Sequence, residues 1–141
     1  MIVGVFAILI MILLAVAPTP TIGTRQRPEE QAAQSDLRNA LTAENTVYTD
    51  SQTYSASTAV GGILTSVDSS LPWGTKITAV VGDAQNVGDS QVVCLSEASE
   101  NTTLQIAEVA TGPNAGTYFN KADDCSNLKP AVLARTWRSS W

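Results

Sequence analysis

The chain has 141 residues, no histidine, two cysteines and a formal net charge of −5. That acidic balance argues against a general nucleic-acid binder, which carries a basic excess. The lack of histidine removes the commonest general base and the commonest transition-metal ligand, so neither an enzyme nor a metal or cofactor site is expected.

Met1 to Ala17 is an unbroken apolar run. At the helical rise, about 17 residues cover roughly 25 Å, just short of the hydrocarbon thickness of a bilayer. Three readings stand side by side. The run is a retained anchor, with Ile2, Val5, Phe6, Ile8, Leu9, Ile12, Leu13 and Val16 as its membrane and assembly face. It is a cleaved signal peptide, for which Ala15-Val16-Ala17 supplies the small-residue site, although no basic residue precedes the run and Pro18 follows the site. Or it is a buried core helix, which a chain of this size can hardly enclose. Setting the run aside leaves about 115 residues, enough for one modest domain.

Pro18, Pro20, Gly23 and Pro28 come next and are expected to interrupt the helix, kinking or loosening it at the first two prolines. From Arg25 to Tyr48, Ala33, Leu37, Ala40, Leu41, Val47 and Tyr48 recur at helical spacing. Gln34, Asp36, Arg38, Asn39 and Asn45 fall on the other side. The pattern predicts one amphipathic helix over 25–48 whose narrow stripe is covered by something flat. Thr49-Asp50-Ser51-Gln52 ends it with turn-forming residues.

Residues 49–75 read as a connecting loop with a short helical turn around Val60 to Val67. Beyond it, Lys76 to Val81, Gln91 to Leu95, Leu104 to Ala110 and Thr117 to Asn120 read as strands. Gly82-Asp83, Gly88-Asp89, Ser99-Glu100-Asn101 and Gly112-Pro113-Asn114 punctuate them. Connections this short make neighbouring antiparallel strands. The expected fold is therefore α+β: a long helix packed on a small antiparallel sheet whose other face is solvated. Cys94 and Cys125 fit no metal or redox spacing, and a pair closing a loop of about 30 residues is an ordinary disulfide arrangement, contributing about 3 to 4 kcal/mol.

The tail from Lys129 carries Arg135, Trp137, Arg138 and Trp141 and no acid. Mixed cations and aromatics suit weak single-strand binding, while the competing reading docks Trp137 on the domain. Asp123-Asp124 reads as a polar turn before a calcium ligand pair, because calcium wants six or more oxygens. Glu29 and Glu30 read as solvated charges, or as partners for Arg25 or Arg27 of a neighbouring copy.

Ala32-Ala33-Gln34-Ser35-Asp36-Leu37-Arg38-Asn39-Ala40-Leu41-Thr42-Ala43-Glu44, followed by Tyr48-Thr49-Asp50 and Gln52-Thr53-Tyr54, resembles the helix and helix end of bacterial type IV pilins. Gly23-Thr24-Arg25-Gln26-Arg27 is similar to the junction between the membrane half and the amphipathic half of that helix. Val93-Cys94-Leu95 and the span from Thr111 to Phe119, ending near Cys125, are similar to the disulfide-closed C-terminal region. Family precursors also carry a basic leader, then a phenylalanine-led apolar segment with a glutamate. Aligned on the junction, that glutamate falls near Ile2, so the expectation is a truncated or divergent start.

The resemblance implies two parts, a membrane and filament-core helix over 1–24 and a globular pilin domain over 25–141. It implies a filament subunit serving adhesion, motility or DNA uptake. The subunit would be a single-pass inner-membrane protein before assembly and part of an extracellular pilus afterwards. Its partners would be copies of itself in a helical homopolymer, membrane lipid, other pilins and an inner-membrane assembly platform. A pseudopilin or minor pilin of a type II secretion or competence machine shares the fold. A secreted binding domain is the outcome if Ala17 is a cleavage site.

Overall fold

The computed structural model describes residues 23–82, 91–100, 102–121 and 125–141. The elements are α1 (Gly23–Ser51), α2 (Ile63–Val67), β1 (Ile77–Val81), β2 (Val92–Ala98), β3 (Thr103–Val109), β4 (Gly116–Lys121) and α3 (Pro130–Thr136). The α+β expectation holds: one long helix lies against a 4-stranded antiparallel sheet of order β1-β2-β3-β4. The apolar run, with all eight anchor positions from Ile2 to Val16 and the kink expected at Pro18 and Pro20, lies outside the described residues. Among the described residues no helix is long and apolar enough to cross a membrane.

Helix α1 starts before and ends after the predicted span. It passes through Pro28, which does not interrupt it, while the residues before Gly23 lie outside the described ones. Proline's fixed φ is itself helical, and a single proline early in the helix removes only its own bond to the carbonyl four residues back. At the other end Gln52 turns into the left-handed region (φ 59°), and its amide donates to the Tyr48 carbonyl at 2.7 Å. That arrangement satisfies one of the carbonyls a helix C-terminus leaves unpaired.

Ala33, Leu37, Ala40, Leu41 and Val47 are buried as predicted, and half-buried Tyr48 packs against the same core. Small side chains at Ala33, Ala40 and Ala43 let the helix approach the sheet closely, while Leu37 supplies bulk. Burying one leucine contributes roughly 1.5 to 3 kcal/mol. The connecting loop is tied down by Leu64 of α2 and by Leu71 and Trp73, all buried in the same cluster. The Trp73 indole N–H donates to the Asp68 carbonyl at 2.8 Å. Gly74 has φ +72°, and a Cβ there would stand 3.1 Å from the Thr58 carbonyl oxygen, so the position suits glycine.

Register divides the strands into two faces. Pairings Leu95↔Ile106 and Ile106↔Phe119 place these three side chains toward α1, together with Ile77, Val93 and Leu104. Cys94↔Ala107 and Val92↔Val109 belong to the opposite face. There the prediction of a solvated surface fails. Leu128, Leu133 of α3, Tyr118, Cys125 and Trp137 pack on Val92, Cys94, Ala107 and Val109 as a second core cluster. A seven-residue helix with one fully buried leucine is too short to give a readable period, so the tail hid a covering layer. Exposure on this face persists at β1, where Val80 is 42% exposed and Thr78 shares a hydroxyl hydrogen bond with Ser96 at 2.6 Å.

Candidate functional site

The candidate surface is built on α1, because that helix joins the apolar run to the folded domain in the chain. Its inner stripe faces the sheet. Its outer face exposes Gln31, Ser35, Arg38, Asn39, Thr42, Thr46 and Thr49. The hydroxyls there turn back on the helix: Thr42 donates to the Arg38 carbonyl at 3.0 Å, Thr46 to Thr42 at 3.0 Å and Thr49 to Asn45 at 2.8 Å. With their hydroxyls occupied along the helix axis, these side chains present short, smooth methyl and hydroxyl surface outward.

Ahead of Ala33 the described side chains of the helix are less covered. Pro28, Glu29, Gln31 and Ala32 are exposed, and the first buried side chain described on it is Ala33. Among the described side chains N-terminal to Ala33, Glu30 forms an ion pair with Lys121 of β4 at 2.9 Å, both partly exposed. Exposed pairs of this kind contribute about 0 to 1 kcal/mol. Glu30 therefore has a partner within its own chain, on the sheet.

The stripe also contains a residue the sequence reading passed over. Glu44 has no solvent exposure and lies on the packing face, three residues beyond Leu41 and seven beyond Leu37. One carboxyl oxygen, Oε2, accepts the Ser55 amide at 2.9 Å, while Oε1 has no partner. Burial pushes this carboxyl up to about 7, against the smaller lowering effect of the Ser55 amide. Tyr54, stacked on Tyr48 with ring centroids 4.7 Å apart, is buried beside it. Burial raises the phenol, and the Glu108 carboxylate adds to the effect. The signal was present in the sequence: Glu44 is a charged residue on an otherwise apolar helical stripe.

The second predicted pair is joined. Cys94 on the distal face of β2 and Cys125 form a disulfide across a sequence separation of 31, with Cα atoms 5.9 Å apart. The bond ties the segment after β4 to the middle of the sheet, under the layer that carries α3. The tail then returns to the edge of β4: the Phe119 amide donates to the Arg138 carbonyl at 2.8 Å and the Arg138 amide to Phe119 at 2.9 Å. Trp137 docks in the distal cluster, as the simpler reading of the tail expects. Trp141 crosses to the helix side, edge-on to Phe119 at 4.7 Å and beneath the Arg38 guanidinium at 5.4 Å. Its indole N–H donates to the Asn120 carbonyl at 3.3 Å. The aromatic groups of the tail are thus engaged with the domain, which leaves less of them for stacking on bases.

Asp123 and Asp124 lie outside the described residues. Among the described residues no group of three or more acidic or cysteine side chains is placed to hold a metal ion. Compared with protein-family models, with curated proteins and with solved structures, the chain gives no match.

Proposed function

We propose that the chain is a structural subunit of a type IV pilus-like filament, held in the membrane by its apolar N-terminal segment before assembly and polymerised through that segment afterwards. The observation that carries this reading is the course of α1. Among its described side chains Pro28, Glu29, Gln31 and Ala32 are exposed, and the first that is buried is Ala33. The domain therefore grips the helix from Ala33 onward, and Pro28, Glu29, Gln31 and Ala32 ahead of it are open to neighbours.

The physics of assembly fits the composition. An apolar helix drawn from lipid into water leaves exposed surface that costs roughly 25 cal/mol for each Å². Bundling such helices in a filament core hides that area again, so one segment serves as anchor and as polymer core. Repetition of one head-to-tail contact gives an open helical filament. The disulfide and the distal layer give the outward domain the rigidity an extracellular setting demands.

The test is mechanical shearing of cells that express the chain, followed by sedimentation and electron microscopy with an antibody to the domain. Labelled filaments in the pellet are expected. A charge placed in the apolar run, Leu9→Asp, should abolish them while the domain still folds. Labelled material that stays in the supernatant in both cases overturns the proposal.

A further inference from the structure

A cleft of about 340 Å³ lies between α1 and one end of the sheet, bounded by Glu29 and Asp36 of the helix, Lys76 ahead of β1, Glu97 near the end of β2 and Glu100 in the turn after it. Four carboxyl-bearing residues and one lysine thus line it. Among the described side chains none of the four has a cation within salt-bridge distance. Glu97 is the unusual member. Its pairings with Ile77 and Leu104 turn it toward the helix, it is only 5% exposed, and its Oε2 is buried with no hydrogen-bond partner. A buried, unpartnered carboxyl oxygen costs free energy unless something supplies a donor.

We propose that this cleft is a binding site for an organic cation, a guanidinium or ammonium group, with Glu97 accepting its N–H donors at the inner wall and Asp36 and Glu29 flanking it. The spread of the carboxylates around an open volume fits a planar, several-donor cation better than a metal ion, which needs its oxygens gathered on one point. Asp36 holds Glu97 up and Lys76 holds it down, after the larger effect of burial, so these groups face each other across the cleft. A bound cation favours the charged form of Glu97, so binding strengthens as pH rises through about 7, with Asp36, Glu29 and Glu100 as the other acids and Lys76 as the competing cation.

The probe is agmatine, a free guanidinium compound, titrated into the full chain in neutral-detergent micelles and followed by amide chemical shifts and calorimetry. Saturable shifts at Asp36, Lys76 and Glu97, weakened about tenfold or more in Glu97→Gln, are expected. Sedimentation of the same samples identifies the source of the cation. Self-association that agmatine disperses assigns it to a side chain of a second copy, and binding to a protein that does not self-associate assigns it to a free small molecule. Asp36→Asn, on the more exposed wall, serves if Glu97→Gln fails to give a dispersed spectrum. Absence of saturation, equal affinity in both variants and the parent, or a response to calcium alone overturns the proposal.

Discussion

Glu44 accepts the Ser55 amide at 2.9 Å from a position with no solvent exposure, so the carboxyl that latches the departing chain to α1 is itself buried in the helix–sheet core. Its titration sits near 7, well above the ordinary value of 4.5, and Glu97 behaves alike. Both groups favour the proton in the fold. Stability from this source is therefore full below pH 4.5 and is lost as pH rises from 4.5 toward about 7. The loss is on the order of 2 to 3 kcal/mol per group. Denaturant unfolding at a series of pH values should show it, and Glu44→Gln should flatten the curve by raising stability above neutrality. A variant destabilised equally at acid and alkaline pH would show that the carboxyl is not strained by ionisation.

Leu37→Ala should cost about 2 to 5 kcal/mol, because Leu37 is fully buried between α1 and the sheet and the rigid backbone around it cannot close the gap. Thr42→Ala, on the outward face, should change stability by less than about 0.5 kcal/mol. Thermal or urea unfolding of the two variants compares the faces directly, and similar losses would mean that the outer face is also packed.

How far the fold was legible follows from these two faces. The period of Ala33, Leu37, Ala40, Leu41 and Val47 is long and regular, so it marked both the helix and the side that packs. The strands were legible because turn residues bracket short β-branched runs, as at Gly112-Pro113-Asn114, where the Ala115 amide closes back on the Gly112 carbonyl. What escaped was short or contradictory. The α3 helix offers about two turns, with only Leu133 fully buried, and nothing in so brief a pattern says that it covers the distal face. Glu97 looks like a surface charge by residue type, and only tertiary packing buries it, whereas the place of Glu44 on the apolar stripe was visible but passed over. Salt-bridging of Glu30 to Lys121 joins residues 91 apart in sequence, beyond the reach of any local rule.

Replacing both cysteines by alanine should cost about 3 to 4 kcal/mol by freeing the loop between Cys94 and Cys125. The loss should be local at first. Amide exchange at Leu128, Leu133 and Trp137, which pack on the distal face beside the bridge, should accelerate before that of β2 and β3. Unchanged protection in this layer would show that packing alone holds it.

Arg38 and Trp141 join the helix to the end of the tail, with the guanidinium 5.4 Å from the ring centroid. A double-mutant cycle using Arg38→Ala and Trp141→Ala should return a coupling of about 0.5 to 1 kcal/mol. Additive losses would mean that Trp141 is held by Phe119 and Asn120 without help from the cation.

A filament core of the proposed kind requires the apolar run to remain attached to the domain. Intact mass and N-terminal sequencing of protein sheared from the cell surface tests it most directly. The account predicts sedimenting filaments whose subunit retains the uncut apolar segment through Ala17, with a methylated N-terminus. A soluble product that begins at Pro18 would contradict it and leave a secreted domain.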